Sequence, residues 1–281
     1  MKMKKGISIW SFAGADLKEN MLLAKDAGFD GIELALDEKG LVSLESTKED
    51  ILKVKAMAEE IGLELYSVAS GLYWTYNYTS ENEENRKKAK EITKKQLEVA
   101  SWLGCDTILV VPGAVNVAFE PGSEIVEYDV AYERALEALR ELAPYAEELK
   151  VSIGVENVWN KFLLSPLEMA AFIDAVGSEY VGAYFDVGNV LYIGYPEHWV
   201  KVLGKRIKKV HFKDYRREAG GLCGFVDLLA GDVNWPEVMK QFKAIGYDGW
   251  VTAEMLPPYT YYPETILYNT CNSMKKIIGG N

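Results

Sequence analysis

Histidine is nearly absent from this chain, with two in 281 residues, His198 and His211. A site built from several imidazoles is therefore excluded. Cysteine is almost as scarce. Cys105, Cys223 and Cys271 are odd in number, far apart and without a Cys-x-x-Cys pair. That excludes a disulfide framework and a zinc–thiolate site, and leaves them as small core residues of a reducing compartment. Positive charge is also short: 31 Lys and Arg against 42 Asp and Glu give a net charge of −11. A phosphate backbone needs a basic face, so a nucleic-acid partner is not expected. The same acid excess does not oppose binding a cation. No apolar run approaches the ~20 residues that span a bilayer, so no membrane is expected. The basic start, residues 1–5, is followed by too short an apolar run for a signal peptide. A soluble, cytoplasmic protein is the expectation. The Gly-x-Gly-x-x-Gly of a doubly wound nucleotide-binding sheet is also missing after the first strand candidate.

What the chain does have is a recurring turn. It reads Ala27-Gly28-Phe29-Asp30-Gly31, Ile61-Gly62-Leu63-Glu64, Leu103-Gly104-Cys105-Asp106 and Ile245-Gly246-Tyr247-Asp248-Gly249. Each copy ends a helical pattern, where glycine takes the left-handed conformation, and begins a strand. Helical spacing precedes several copies, as in Ile51, Val54, Ala58, Ile61 and in Ile92, Gln96, Val99, Leu103. Tyr132, Ala135, Leu139 and Leu142 repeat the spacing further on. The strand candidates are short and almost wholly apolar: 7–10, 32–35, 65–69, 107–111, 151–155, 181–185, 207–211 and 250–254. Strands of that kind are buried on both faces, as in parallel sheets. Eight of them alternating with helices, and no linker, predict one α/β domain over 1–281, a single (β/α)₈ TIM barrel. Such a barrel typically takes about 250 residues.

The connections are asymmetric. Those from helix to strand are short, whereas 70–84, 112–127, 212–233 and 255–263 after strands are long. Barrel active sites are built from the strand-to-helix loops at the C-terminal face. These loops carry Tyr73, Trp74, Tyr76, Phe119, Trp159 and Phe225, a composition suited to a pocket for a small polar molecule.

Four polar residues end apolar runs: Glu156, Asp186, His211 and Glu254. On one barrel rim, three carboxylates and one imidazole can converge on one divalent ion. Such an oxygen-rich set favours Mn²⁺, Mg²⁺ or Co²⁺ over structural zinc. The two glutamates come from the fifth and eighth strands and so face each other across the mouth. A substrate held between them could lose a proton from one face of a carbon and gain one on the other. That carbon must adjoin a carbonyl, and stabilising its enediolate is a task for a metal. Epimerisation and aldose–ketose isomerisation have these requirements. Glu33 ends the second strand candidate and faces the same mouth. His198, at a helix start, reads as a structural or surface residue.

The segments Gly154-Val155-Glu156-Asn157, Tyr184-Phe185-Asp186-Val187-Gly188-Asn189, Val210-His211-Phe212-Lys213-Asp214 and Val251-Thr252-Ala253-Glu254 carry a family resemblance. With Gly28-Phe29-Asp30-Gly31-Ile32-Glu33-Leu34, they make the chain resemble the xylose-isomerase-like barrel superfamily of sugar-phosphate isomerases and epimerases. The ketose 3-epimerases are the branch nearest in pattern. The resemblance implies that Glu156, Asp186, His211 and Glu254 bind one divalent metal, commonly Mn²⁺. It implies that Glu156 and Glu254 are the acid/base pair and that Arg217 contacts substrate oxygens. The epimerases usually have histidine where this chain has Asn189. They also have a substrate-binding glutamate where it reads Trp159-Asn160-Lys161-Phe162-Leu163. Lys161, Lys213, Arg216 and Arg217 are candidates to receive a phosphate. The implied partner is a small sugar or sugar phosphate, and there is room for a homodimer or homotetramer. A metal-dependent dehydratase acting on a cyclic polyol or shikimate-type acid is the alternative on the same scaffold.

Overall fold

The recurring glycine turns do what their spacing predicts. Gly28, Gly62, Gly104 and Gly246 each end a helix at φ of +93°, +74°, +86° and +74°, with the cap N–H bonded to carbonyls of the last turn. The chain then enters the next strand within a few residues. In this computed structural model, residues 3–14 and 16–279 are described. Residues 1 and 2 of the basic start, and 280 and 281 of the expected domain, lie outside them.

The elements follow in chain order. The first half holds β1 (Lys4–Ser8), α1 (Leu17–Ala27), β2 (Gly31–Ala35), α2 (Lys48–Ile61), β3 (Glu64–Ala69), α3 (Glu83–Leu103), β4 (Thr107–Val110) and α4 (Tyr128–Leu149). The second half holds β5 (Ser152–Glu156), α5 (Pro166–Val176), β6 (Val181–Asp186), the short α6 (Val187–Leu191), α7 (Pro196–Leu203) and β7 (Ile207–Phe212). A two-stranded ribbon, β8 (Asp214–Tyr215) and β9 (Phe225–Val226), precedes α8 (Trp235–Ile245), β10 (Trp250–Ala253) and α9 (Thr265–Gly279). Eight parallel strands close a barrel in the order β1, β10, β7, β6, β5, β4, β3, β2. The expected single barrel is the observed architecture.

All eight strand candidates fall on barrel strands. The first is displaced: β1 starts at Lys4, and the chain leaves it after Ser8 for a 3₁₀ turn, Ile9–Ser11. The Ser8 hydroxyl accepts from the Trp10 N–H and ends the strand there. Inside the barrel, Tyr66 stacks on Trp250 at 3.9 Å and its hydroxyl bonds Thr252. Gly6 and Gly31 make room for that pair. A Cβ on Gly31 would lie 2.5 Å from the Glu64 carbonyl and 2.7 Å from the Trp250 ring.

One long loop is held from within. The buried Asp214 carboxylate accepts from the N–H groups of Tyr215, Leu229 and Val233 and from the Trp235 indole. Four donors on one acceptor shape residues 214–235 beside the C-terminal end of β7.

Candidate metal centre and cavity

Parallel pairing brings the strand-end residues into register. Glu156 pairs with Tyr184, Asp186 with His211, and His211 with Thr252, two residues before Glu254. Neighbouring strand ends are also clasped. The Asn157 side chain accepts from the Asp186 N–H at 2.8 Å and donates to the Asp186 carbonyl at 2.8 Å. Asp186 caps α6, its Oδ1 accepting from the Asn189 N–H at 2.8 Å. That leaves Oδ2 turned toward the others.

One atom from each of Glu156, Asp186, His211 and Glu254 lies within 4.8 Å of the rest, and all four side chains are buried. His211 Nδ1 is 3.8 Å from Glu156 Oε1, 3.8 Å from Asp186 Oδ2 and 3.6 Å from Glu254 Oε2. The other ring nitrogen, Nε2, is 2.9 Å from the fully buried Glu33. A carboxylate only accepts, so Nε2 carries a hydrogen in this pairing and Nδ1 is the ring nitrogen turned to the cluster, the one that would ligate an ion. Glu33 also accepts from the Tyr184 hydroxyl, which reaches Ser67 Oγ at 3.1 Å.

Asp186 Oδ2, His211 Nδ1 and Glu254 Oε2 are buried and receive no well-directed hydrogen bond, although the Lys213 ammonium stands beside the two carboxylate oxygens. Orphaned acceptors that converge on one point in a buried site are costly unless a cation joins them. The residues therefore fit a divalent ion, with an imidazole whose rear N–H is anchored by a carboxylate, as metal-ligating histidines usually are.

Lys213 stands at the same point. Its ammonium is 3.2 Å from Asp186 Oδ2 and contacts Glu254 Oε2. The electrostatics follow from this crowding. Burial pushes the Glu156 carboxyl up to about 8, with Lys213 opposing. Burial would also raise Glu254, but Lys213 and His211 outweigh it and hold that carboxyl at about 2. For His211, burial acts downward, and the carboxylates of Glu33 and Glu254 raise it well above the imidazole range.

Over this cluster opens a cavity of roughly 500 Å³. Glu156, Asn189, Lys213 and Glu254 form its polar floor, and Trp74, Phe119, Trp159 and Phe225 stand in its wall. Tyr73 is instead buried against Thr93 and Gln96, and Tyr76 does not line the cavity. Asn189 donates to the Asn157 carbonyl at 3.0 Å and lies 3.5 Å from Glu156 Oε1.

Two sequence candidates stand elsewhere. The Arg217 guanidinium donates to the carbonyls of Leu191 and Gly194 and lies over Tyr195, so its donors are turned to backbone. Lys161 is exposed and bonds Asn116. Neither lines the cavity. Sequence reasoning missed the place of Lys213 among the carboxylates. Strand alternation carried the signal, because residues two apart point the same way and His211 was already assigned.

A family model described as "Xylose isomerase-like TIM barrel" matches residues 21–275. A putative L-ribulose-5-phosphate 3-epimerase of Escherichia coli is 27% identical over 251 residues, 84% of this chain and 82% of that protein. A D-psicose 3-epimerase of Enterocloster bolteae is 26% identical over 265 residues, 90% of this chain and 80% of that protein. Among solved structures, the D-psicose 3-epimerase of Clostridium cellulolyticum superposes with a TM-score of 0.79 at 20% identity, covering 98% of this chain and 99% of that one.

Proposed function

We propose that this protein, which belongs to the xylose isomerase-like TIM barrel family, is a metal-dependent ketose 3-epimerase. One observation carries the reading. Two glutamates, from β5 and from the end of β10, stand three steps apart round the ring and meet with Asp186 and His211 in one buried cluster. The relatives named as ketose 3-epimerases support it.

Glu156, Asp186, His211 and Glu254 would hold the ion, and Mn²⁺ is the ion we assign from the oxygen-rich donor set. A divalent ion there supplies Lewis-acid polarisation of the substrate's carbonyl and adjoining hydroxyl. The chain's own groups move the proton. One glutamate removes the hydrogen from the carbon beside the carbonyl as a proton. The electron pair of the broken C–H bond becomes the enediolate double bond. The other glutamate gives a proton to the opposite face of that carbon, which re-forms the carbonyl with inverted configuration. Asn189 and the Asn157 clasp hold Glu156 and Asp186 in place.

The test is isotopic. With Mn²⁺ in deuterated water, a ketose panel should yield an epimer of unchanged skeleton bearing deuterium at C3, seen by proton NMR and mass. Glu254→Gln and Glu156→Gln should each lower turnover by about 10²–10⁴, the usual worth of a positioned acid or base, while still binding metal. A metal-loaded Glu254→Gln enzyme with near-parental turnover would sink the two-base mechanism. A product lighter by one water would replace epimerisation with dehydration.

A further inference from the structure

The cavity beyond the metal cluster is built for something other than a phosphate or a chain of hydroxyls. A buried dianion needs cations or free donors around it. Lys213 is the single cation among the described residues of the lining, and its ammonium stands at the carboxylate floor, 3.2 Å from Asp186 Oδ2. Arg217 and Lys161 are engaged outside. Arg216 donates to the Ala230 carbonyl.

Several polar groups of the wall are also committed, the indole N–H groups of Trp10 and Trp74 standing apart from these. Ser70 Oγ donates to the Leu36 carbonyl, and the Trp159 indole N–H donates to the Asn189 carbonyl. The Asn189 amide serves Asn157 and Glu156. Distal sugar hydroxyls entering here would lose water and find few partners, a cost of burial without compensation.

Apolar surface, by contrast, is abundant. Trp74 meets Phe119 edge-on at 5.0 Å, and Trp159 tilts over Phe225 at 5.2 Å. Leu222 and Leu256 complete that side. A volume of roughly 500 Å³ is in the range that encloses a drug-sized ligand, and a hexulose alone would leave much of it unfilled.

We propose that the substrate is an unphosphorylated ketose carrying an apolar group, an aromatic ring or alkyl chain, on the end remote from the reacting carbons. The carbonyl end sits on the carboxylate floor and the apolar group lies between the aromatic walls. This rests on the epimerase reading for the chemistry at the floor.

Binding and exchange, measured separately, test it. The Mn²⁺-loaded protein is titrated with D-fructose, D-fructose 6-phosphate and 6-O-benzyl-D-fructose, following the fluorescence of the cavity tryptophans. The benzyl ether should bind at least about tenfold tighter than fructose, since one methylene in an apolar pocket can already give that much. The phosphate ester should bind more weakly than fructose. Phe119→Ser and Leu222→Ser, both at partly exposed positions, should bring the benzyl-to-fructose ratio toward one. A phosphate ester that binds tighter than fructose, a benzyl group that weakens binding, or a ratio untouched by both variants overturns the proposal. Deuterium exchange at C3 on the same three compounds separates the two readings. Tight benzyl-ether binding with no exchange removes the epimerase reading and leaves the apolar subsite standing. Fast exchange on the phosphate ester, with that ester bound tightest, does the reverse.

Discussion

Glu33 shows what a single residue can do without touching an ion. It is fully buried, 178 positions from His211, and bonded to the ring nitrogen that faces away from the cluster. By accepting from Nε2 it turns Nδ1 toward the cluster, where it would ligate. Replacing such an outer partner typically costs 10–100-fold in metal affinity. Glu33→Gln should therefore weaken Mn²⁺ binding by about that factor, measured by calorimetry, with Glu33→Ala at least as damaging. Parental affinity in both variants would mean that Glu33 only fills space. The four clustered residues were legible in the sequence because each ends an apolar run, and such a run reports its own burial. The hydrogen bond from His211 to Glu33 was not legible, because it joins two strands that pair with different neighbours.

Elements are set by their ends and by what loops pin to them. Gly246 closes α8 at φ +74°, and a Cβ there would meet nothing within 4 Å. Gly246→Ala should cost only the left-handed strain, about 1–2 kcal/mol in urea unfolding. Gly31→Ala carries no left-handed strain but collides with the Glu64 carbonyl and the Trp250 ring, and should cost distinctly more. Equal losses would mean that the barrel yields at Gly31. In the loop after β7, Asp214→Ala removes one acceptor from four donors. A loss of about 3 kcal/mol is expected, with faster hydrogen exchange confined to residues 214–235. Exchange unchanged in that segment would show that other contacts hold the loop. The helix-ending turns could be read because glycine and the next apolar residue are a local signal. The pinning of the loop could not, since Asp214 in sequence is one acid among many and its donors lie up to 21 positions away.

For the whole molecule, the proposed ion would link metal binding to folding. An ion that binds only the folded chain stabilises it by about 2.7 kcal/mol at 100 times its dissociation constant. Relative to chelator-treated protein, Mn²⁺ at that level should raise Tm by roughly 5 °C or more for a domain of this size. His211→Ala and Asp186→Ala should abolish the rise, and a scanning-calorimetry response equal to the parent's in both would place the ion elsewhere. Sequence alone determined the barrel, its long strand-to-helix loops and the four strand-end residues. All three rest on local periodicity and on the covalent order of apolar and polar residues, which the chain carries whether folded or not. Tertiary structure decided the rest: Lys213 among the carboxylates, Arg217 turned to the carbonyls of Leu191 and Gly194, and aromatic residues of separate loops brought together as one wall. Those outcomes depend on where long side chains point after ring closure. Competition among distant partners fixes that direction, and no local pattern in the chain records it.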